Sequence, residues 1–437
     1  MKKRLLMFTL TLTTVSMFTQ SNYYYYYKGG KVFLNLDKSS LYINTDNTFL
    51  KSSVDNQNLL DYTLKTESNP TNGETNKWSI VDFETQPTDI EYYQKINSLK
   101  SINTVNVVAP GFTTMAGKKI VLSRHFYVKL KQASDLNLLQ QKANEYNVTI
   151  KNQNQFMPLW YTLVCTKNTI GNPLEVANAF YETGLFASSS PNFISIRDEE
   201  PTPTTQAIVN GPVSGCVNDQ YFGQQWNLDN TGQQLSQNPP VFATAGIDIN
   251  ACEAWNITNG DPNINIAVID LGVELNHPDL TNMHLLSYDT EDPINNPQSL
   301  VYGPHGTHCA GIIGATQNNS IGVSGIAPNC KLMSISTTFL VSENIANGIN
   351  WAWENGADII NNSWHVNIYD SLIEDALNNA LTFGRDEKGC IVVFTSGNIE
   401  GTITEFPANN DDRLLVVGAI SPCGERTSPN SCDGQTW

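Results

Sequence analysis

The stretches Ile266-Ala267-Val268-Ile269-Asp270-Leu271-Gly272 and Gly303-Pro304-His305-Gly306-Thr307-His308-Cys309-Ala310-Gly311 decide the fold class of this chain. The first is an apolar run that ends in a carboxylate at a glycine-containing turn, a pattern typical of a buried strand. The second begins a helix whose early positions are small, so that backbone can pack closely behind the imidazole of His305. Together they predict an Asp at the end of a strand and a His at the start of a helix.

Strands and helices alternate through the rest of this half of the chain. Nearly continuous apolar strands separated by amphipathic helices predict an α/β fold, a parallel sheet covered by helices on both faces. Ligands bind such sheets beyond the carboxyl ends of the strands, where Asp270 and Asn398 fall. The predicted strands are residues 264–269, 331–336, 358–362, 391–395 and 414–420, and the predicted helices are residues 342–354 and 370–383.

Asp270, His305 and Asn398 are the candidates for chemistry. A buried Asp that accepts a hydrogen bond from one ring nitrogen of a His fixes its tautomer, and the other nitrogen can then take a proton from a hydroxyl nucleophile. An Asn amide can stabilise the oxyanion that develops. Taken singly, an Asp at a strand end caps a turn and a His at a helix start makes one hydrogen bond. The three patterns in this order favour the catalytic interpretation.

Charge and the N-terminus indicate an exported protein. The 437 residues contain 25 Lys and Arg against 42 Asp and Glu, a formal net charge of −17, which argues against nucleic acid or an anionic membrane as the main partner. Residues 1–21 have a basic start and a short apolar run, typical of a secretory signal peptide, with an ordinary buried helix as the alternative. We expect a secreted or periplasmic protein with no membrane span after signal cleavage.

Export permits disulfides among the eight cysteines without dictating their pairing. Cys423 and Cys432 flank a loop that contains Gly, Pro and Asn, and they are the first predicted pair. The second predicted pair is Cys216 with Cys252.

Composition and periodicity divide the chain into five parts. The part after the signal is rich in Asn, Thr, Ser and Tyr, and its residues indicate no role. The next part alternates strand and helix as in a small α+β, ferredoxin-like module with two helices on one sheet. A Pro-rich and Thr-rich linker separates it from the α/β domain. The predicted bounds are 1–21 for the signal peptide, 22–116 for the N-terminal region, 117–198 for the α+β module, 199–215 for the linker and 216–437 for the α/β domain.

From about Cys216 to Trp437 the chain resembles the subtilase family of subtilisin-like serine proteases. Besides the two stretches quoted first, Asn276-His277-Pro278-Asp279-Leu280 and Ile321-Gly322-Val323-Ser324-Gly325-Ile326-Ala327-Pro328 are specific matches. The resemblance implies a subtilisin-like catalytic domain in which Asp270 and His305 are triad members and Asn398 is the oxyanion donor. It also implies that residues 117–198 are the inhibitory and chaperoning prosegment.

The residues near His305 refine this resemblance. Cys309 resembles the proteinase K branch of the family, which implies a free thiol one helical turn from the catalytic His. His308 could form a zinc pair with His305. No acidic third ligand accompanies the two in the manner of His-Glu-x-x-His, so the pattern does not favour metal catalysis.

The substrate-binding strand departs from the family pattern. Ser363-Trp364-His365-Val366 stands where the family usually has Ser-x-Gly-Gly, and we expect Ser363 and Trp364 to contact substrate. Glu405 precedes Phe406-Pro407, a pair resembling the segment that lines the primary specificity pocket. A carboxylate at the floor of that pocket would favour Lys or Arg in the substrate, with a solvated surface Glu as the alternative.

A second departure concerns the nucleophile. The sequence contains no Gly-Thr-Ser-x-Ala-x-Pro, so we expect a C-terminally incomplete catalytic domain that is inactive as it stands. The leading interpretation is a serine endopeptidase that hydrolyses peptide bonds, with peptide or protein substrates and its own prosegment as partners. The alternative is a non-catalytic peptide-binding pseudoprotease that kept the cleft.

The resemblance further implies a structural calcium ion. One segment resembles the N-terminal part of thermitase-like subtilases and another resembles the loop that wraps the family's strong calcium. Hard oxygen ligands suit this ion, although Asn-rich turns are common without metal. The implied ligands are the side chains of Asp219, Asp279 and Asn319 and the carbonyls of Gln317, Ile321 and Val323.

Overall fold

The computed structural model describes residues 23–46, 76–83, 85–195, 216–237, 240–292, 299–338, 341–397 and 405–426. The predicted signal peptide (1–21), the predicted linker (199–215), Asn398 and Cys432 lie outside the described residues. Two sheets dominate the described part, one of eight strands in its N-terminal half and one of six strands in its C-terminal half.

The N-terminal sheet is antiparallel in all its pairings. Its strands run in the order β1-β2-β4-β5-β7-β6, with β3 paired to β2 and β8 paired to β5. The strands are β1 Tyr23–Tyr27, β2 Gly30–Asp46, β3 Asn76–Asp82, β4 Val105–Thr113, β5 Lys119–Lys129, β6 Val148–Gln153, β7 Trp160–Cys165 and β8 Ser188–Ser195, and the helices are α1 Asp89–Lys100, α2 Leu136–Tyr146 and α3 Pro173–Glu182.

The strand order β8-β5-β7-β6, with α2 and α3 as the connections, is the predicted ferredoxin-like arrangement. Apolar side chains of both helices, including Leu139 and Phe180, are buried in one core with Phe126 and Leu163 of the strands. Helix α3 begins with a capping box, because Asn172 accepts from the Glu175 amide while Glu175 accepts from the Asn172 amide.

The predicted boundary at residues 116 and 117 falls between two paired strands. Gly111 of β4 lies opposite Val121 of β5, and Thr113 lies opposite Lys119. The N-terminal region therefore extends the sheet of the α+β module. Its role, and the domain bounds as a whole, stay predictions.

The C-terminal sheet is parallel throughout and has the order β12-β13-β11-β14-β15-β16. Ala267 and Ile269 of the central strand face the cluster formed with two helices on one side, whereas Ile266 and Val268 face Ala310 of a helix on the other. This alternation confirms the predicted parallel sheet with helices on both faces. The strands are β11 Asn265–Asp270, β12 Tyr288–Asp289, β13 Lys331–Ser336, β14 Ile359–Asn362, β15 Ile391–Thr395 and β16 Leu415–Val417, and the helices are α4 Ala251–Trp255, α5 His305–Gly314, α6 Ser342–Glu354 and α7 Ser371–Glu387.

Smaller elements complete the C-terminal half. A two-stranded hairpin pairs β9 Gln234–Gln237 with β10 Pro240–Phe242. A disulfide joins Cys216 to Cys252. Cys423 is disulfide-bonded, and because Cys432 lies outside the described residues its pairing with Cys423 stays a prediction. Among the helices of the described ranges, none combines the length and the apolar character that crossing a membrane requires.

The two halves meet near the N-terminal ends of α6 and α7. Glu343 accepts hydrogen bonds from Asn152 Nδ2 at 2.6 Å and from Thr162 Oγ1 at 2.8 Å. Asp375 accepts from Lys129 Nζ at 2.5 Å and from Trp160 Nε1 at 2.7 Å. Glu343 lies in the first turn of α6, where the helix dipole stabilises a carboxylate.

Tyr127 tests the energetics of this interface. Its buried hydroxyl donates to Asn192 Oδ1 at 3.0 Å and accepts from the Glu343 amide at 3.4 Å. We expect Tyr127→Phe to lower the free energy of unfolding of the whole chain by about 1–2 kcal/mol, because buried partners lose a hydrogen bond. Urea denaturation measures it. Tyr146→Phe is the control, since the Tyr146 hydroxyl makes no hydrogen bond among the described residues, and equal effects of the two substitutions would contradict the prediction.

Candidate active site

Asp270 lies at the carboxyl end of β11, the strand between β13 and β14. Its side chain is buried, and Oδ1 accepts from the Leu271 amide at 2.7 Å. The backbone then turns at Gly272, which has φ of +94°. A Cβ at Gly272 would lie 1.8 Å from the Leu300 carbonyl oxygen, so only glycine fits this turn.

His305 is the first residue of α5 and faces Asp270. Its Nδ1 lies 2.9 Å from both carboxylate oxygens. The close approach depends on Gly306, because a Cβ there would lie 2.4 Å from the Gly272 carbonyl oxygen and 3.0 Å from Asp270 Cβ. The side chain of His305 keeps 34% of its surface exposed, whereas that of Asp270 keeps 2%. The arrangement is a buried carboxylate that orients a partly accessible imidazole.

The electrostatics of the pair follow from this contact. The hydrogen bond to Asp270, with a smaller contribution from Cys309, raises the pKa of His305 to about 10, although burial of the ring acts in the opposite direction. The ion pair therefore favours the protonated imidazole at neutral pH. Its Nδ1 donates to the carboxylate, which leaves Nε2 as the nitrogen that can exchange a proton with a reactant.

Cys309 lies beside the ring, one helical turn along α5. Its Sγ is 3.8 Å from Nδ1 and 4.0 Å from Nε2 of His305, and the thiol is free. The potential ligand atoms of Asp270, His305 and Cys309 lie within 4.8 Å of one another. His308, the other candidate for a metal pair, lines a separate cavity of about 410 Å³ together with His277.

The predicted substrate segment follows β14. Ser363 Oγ accepts from Asn361 Nδ2 at 3.1 Å. The Trp364 side chain is buried, with its ring edge against Phe394 at 5.1 Å between centroids, so only its backbone is available to a ligand. The predicted oxyanion donor Asn398 follows β15 in sequence and lies outside the described residues.

Glu405 is held by a partner that sequence reasoning missed. Its Oε2 lies 2.8 Å from Nε2 of His365. The Val366 amide donates to the Phe406 carbonyl at 3.0 Å, which fixes the two segments side by side. Neither residue type nor spacing marks this pair in the sequence, because the two residues come together only through the path of the loop after β14.

The six predicted calcium ligands gather around the loop 317–323. Asp219 accepts from the Asn318 and Asn319 amides, each at 3.0 Å. Asp279 accepts from Asn319 Nδ2 at 2.8 Å and from the Val323 amide at 2.9 Å. Both carboxylates are buried. Asn319 thus contacts both of them, and the loop brings together two acidic groups that lie far apart in sequence.

Comparison with known proteins identifies the family. Residues 261–437, which hold Asp270 and His305, match the model of the subtilase family. This domain belongs to the subtilase family. The match confirms the family resemblance drawn from the sequence.

The similar proteins include several named proteases. A thermophilic serine proteinase of a Bacillus species is 31% identical over 261 residues, which cover 57% of this chain and 61% of that protein. Thermitase of Thermoactinomyces vulgaris is 35% identical over 190 residues, 41% of this chain and 64% of thermitase. A calcium-dependent protease of a Nostoc species is 26% identical over 341 residues, 73% of this chain and 46% of that protein. The chain thus spans about half to two thirds of the length of these relatives.

The ion pair between His305 and Asp270 should shift the titration of the imidazole to higher pH. We expect the imidazole of His305 to titrate near pH 10, and Asp270→Asn to lower its pKa, because the largest contribution that raises it is removed and burial then opposes only the smaller contribution of Cys309. Since the folded-state pKa is raised, the stability that the pair contributes is fully present below about pH 6.5 and is lost as pH rises through about 10.

Histidine side-chain NMR as a function of pH measures this titration, with His305→Gln to assign the resonance. Asp375→Asn is the control, since Asp375 contacts Lys129 and Trp160 and should leave the His305 titration unchanged. A midpoint near pH 6.5 in the parent protein would contradict the ion pair.

Proposed function

We propose that residues 216–437 carry the acid–base half of the active site of a subtilisin-like serine endopeptidase. The observation that carries the proposal is the pair of 2.9 Å contacts between His305 Nδ1 and the buried Asp270 carboxylate. Asp270 holds the ring with Nδ1 protonated, and His305 accepts the proton of a serine hydroxyl through Nε2 and later donates it to the leaving amine. Asn398 donates to the oxyanion of the tetrahedral intermediate.

Proton acceptance requires a neutral imidazole. With a pKa of about 10, His305 holds its proton at neutral pH, and the protonated ring cannot act as a base. Burial lowers this pKa, and about a third of the side chain is still open to solvent. We propose that the serine segment and the substrate cover the ring and bring its pKa down to the working range.

The proposal includes a serine supplied from outside these residues. No Gly-Thr-Ser-x-Ala-x-Pro occurs among the 437 residues. Loss of the triad serine costs about 10⁶-fold in rate. The 437-residue chain by itself is therefore proposed to be inactive.

Residues 117–198 are proposed to be the inhibitory prosegment. The hydrogen bonds from Asn152 and Thr162 to Glu343, and from Trp160 to Asp375, support this role, since they hold the module against the N-terminal ends of α6 and α7. Residues 1–21 are proposed to direct export, with peptides or proteins outside the cytoplasm as substrates.

Substrate preference is proposed to depend on Glu405. A carboxylate beside the pocket attracts Lys or Arg in the substrate, but Glu405 Oε2 already lies 2.8 Å from His365 Nε2. A basic substrate side chain therefore competes with His365 for the same carboxylate. Because the family usually has glycine in this strand, His365 weakens the preference for basic residues that Glu405 alone would create.

Calcium is proposed to bind at the loop 317–323, supported by the chemistry of the donors. Two buried carboxylates share this loop, and no Lys or Arg of the described ranges forms an ion pair with either. Buried charges are costly without a partner, and a hard cation supplies one. Asp219, Asp279 and the Asn319 amide oxygen would hold it, with the carbonyls of Gln317, Ile321 and Val323. Asn319 Nδ2 now donates to Asp279, so ligation requires its amide to turn over.

Hydrolysis tests the proposed function. We expect the 437-residue chain to show no burst of product and no labelling by a fluorophosphonate, because no Gly-Thr-Ser-x-Ala-x-Pro occurs among its residues. If the reading frame continues past Trp437 in the genome, the longer product should be labelled at one serine. His305→Ala should then lower its kcat by about 10⁶-fold. Labelling of the 437-residue chain would contradict the proposal, and peptide binding without hydrolysis by the longer product would favour the pseudoprotease instead.

Calcium removal tests the metal proposal. We expect millimolar calcium to raise the Tm of the parent protein over that in chelator, by the equivalent of about 2.7 kcal/mol if the ion is at 100 times its Kd. Asp279→Asn should abolish the response, and Asp375→Asn, which changes a carboxylate on α7, should keep it. If the Tm of the parent protein is the same in chelator as in millimolar calcium, the proposed calcium site is wrong.

A further inference from the structure

The first strand of the described chain consists of five tyrosines. Strand β1, Tyr23–Tyr27, lies at one end of the N-terminal sheet, and among the described strands it pairs with β2 alone. We call Tyr23–Tyr27 together with Lys28 the tyrosine strand. Because side chains alternate along a strand, Tyr25 and Tyr27 lie on one face and Tyr24 and Tyr26 on the other. The two faces contact different parts of the molecule.

The odd-numbered face contacts the subtilase domain. Tyr25 is 1% exposed, and its hydroxyl accepts from the Tyr369 amide at 3.0 Å. Tyr27 stacks on Tyr369 with 5.1 Å between ring centroids and meets Phe406 edge to face at 6.3 Å. Stacked and edge-to-face aromatic pairs add to the stability of a contact beyond the area they bury.

Lys28 adds an ionic contact at the end of the strand. Its Nζ lies 2.6 Å from Glu374 Oε1 and donates to Asn410 Oδ1 at 3.2 Å. The Tyr27 hydroxyl donates to the same Asn410 oxygen at 2.5 Å. Two neighbouring residues of the N-terminal region thus share one acceptor on the subtilase domain.

The even-numbered face holds the α+β module. Tyr24 and Tyr26 donate to Glu182 Oε1 of α3 at 3.0 Å and 2.9 Å. Tyr26 also stacks on Tyr181 at 4.2 Å. The tyrosine strand therefore lies between α3 and the subtilase domain and contacts both.

The partner on the subtilase domain is the loop between β14 and α7. Ile368 of this loop is 6% exposed and belongs to the hydrophobic core of the N-terminal sheet, together with Tyr25 and Phe193. The next residue, Tyr369, carries the stacking and amide contacts with the tyrosine strand. The same loop begins at the candidate substrate residues Ser363 and Trp364. Contacts at residues 368 and 369 thus constrain the segment that leads from the substrate strand to α7.

We infer that the described residues 23–46, 76–83 and 85–113 form a second docking part of the prosegment, which binds the subtilase domain through the tyrosine strand and holds the loop 366–370 beside the substrate segment. The inference rests on the proposed role of residues 117–198 as prosegment. The partner is this chain's own subtilase domain. An apolar loop residue buried in the N-terminal core, an aromatic stack and an ion pair make up the surface.

Hydrogen exchange in the full chain, followed by mass spectrometry, tests this inference. The test variant is Tyr27→Ala with Lys28→Ala, and the matched control is Tyr24→Phe with Tyr26→Phe, which removes the hydroxyls of the opposite face. We expect residues 366–374 and 405–413 to exchange at least tenfold faster in the test variant and at the parent rate in the control. Residues 341–349 include Glu343, which contacts Thr162 of the α+β module, and should exchange at the parent rate in the test variant and in the control.

The outcomes separate this inference from the proposed function. If residues 366–374 are protected equally in the parent and in the test variant, the tyrosine strand does not hold the loop and the inference is wrong. A separate outcome concerns the α+β module. If residues 341–349 are unprotected in the parent protein, residues 117–198 do not dock there and the proposed prosegment role fails. If the test variant loses protection in β4, the N-terminal sheet itself is disturbed and a second variant, Tyr25→Phe, is needed. This substitution removes only the hydroxyl that accepts from the Tyr369 amide. The Tyr369 amide should then exchange faster, whereas the amides of β4 should keep the parent rate.

Discussion

The contact between Asp270 and His305 depends on the absence of a side chain at residue 306. A Cβ at Gly306 would lie 2.4 Å from the Gly272 carbonyl oxygen, so any larger residue pushes the start of α5 away from the end of β11. The 2.9 Å contacts and the raised pKa of His305 both follow from this approach. A parallel sheet supplies the rigid frame, since β11 is hydrogen-bonded on both sides.

The hydrogen bonds and ion pairs with the N-terminal half lie near the N-terminal ends of two helices. Glu343 of α6 and Asp375 of α7 accept from the α+β module, and Glu374 of α7 pairs with Lys28 of the N-terminal region. The partners Trp160 and Thr162 are neighbours on β7, whereas Lys28 lies more than 100 residues before them. The N-terminal sheet therefore covers the side of the subtilase domain that carries α6 and α7, and α5 with the His305 site packs on the opposite face of the parallel sheet.

Much of the C-terminal half could be predicted from the sequence, because its signals are local. Strands Lys331–Ser336 and Ile391–Thr395 and helix Ser342–Glu354 have the predicted bounds, since each is an apolar run or an amphipathic repeat. The strand predicted at 414–420 is only Leu415–Val417. All three residues are exposed, so burial of apolar side chains does not stabilise a longer strand there. The tyrosine strand resisted interpretation because five identical residues show no alternation, and the pairing of His365 with Glu405 depends on loop geometry that no spacing encodes.

The contact between Asp270 and His305 is tested most directly by observing the Nδ1 proton of His305. In the folded parent protein, ¹⁵N-edited NMR should detect an exchange-protected Nδ1–H resonance bonded to Asp270. Gly306→Ala should abolish it by displacing α5. Gly311→Ala in the same helix should keep it, because a Cβ there meets nothing within 4 Å. Persistence of the resonance in Gly306→Ala, or its absence from the parent protein, would contradict the account.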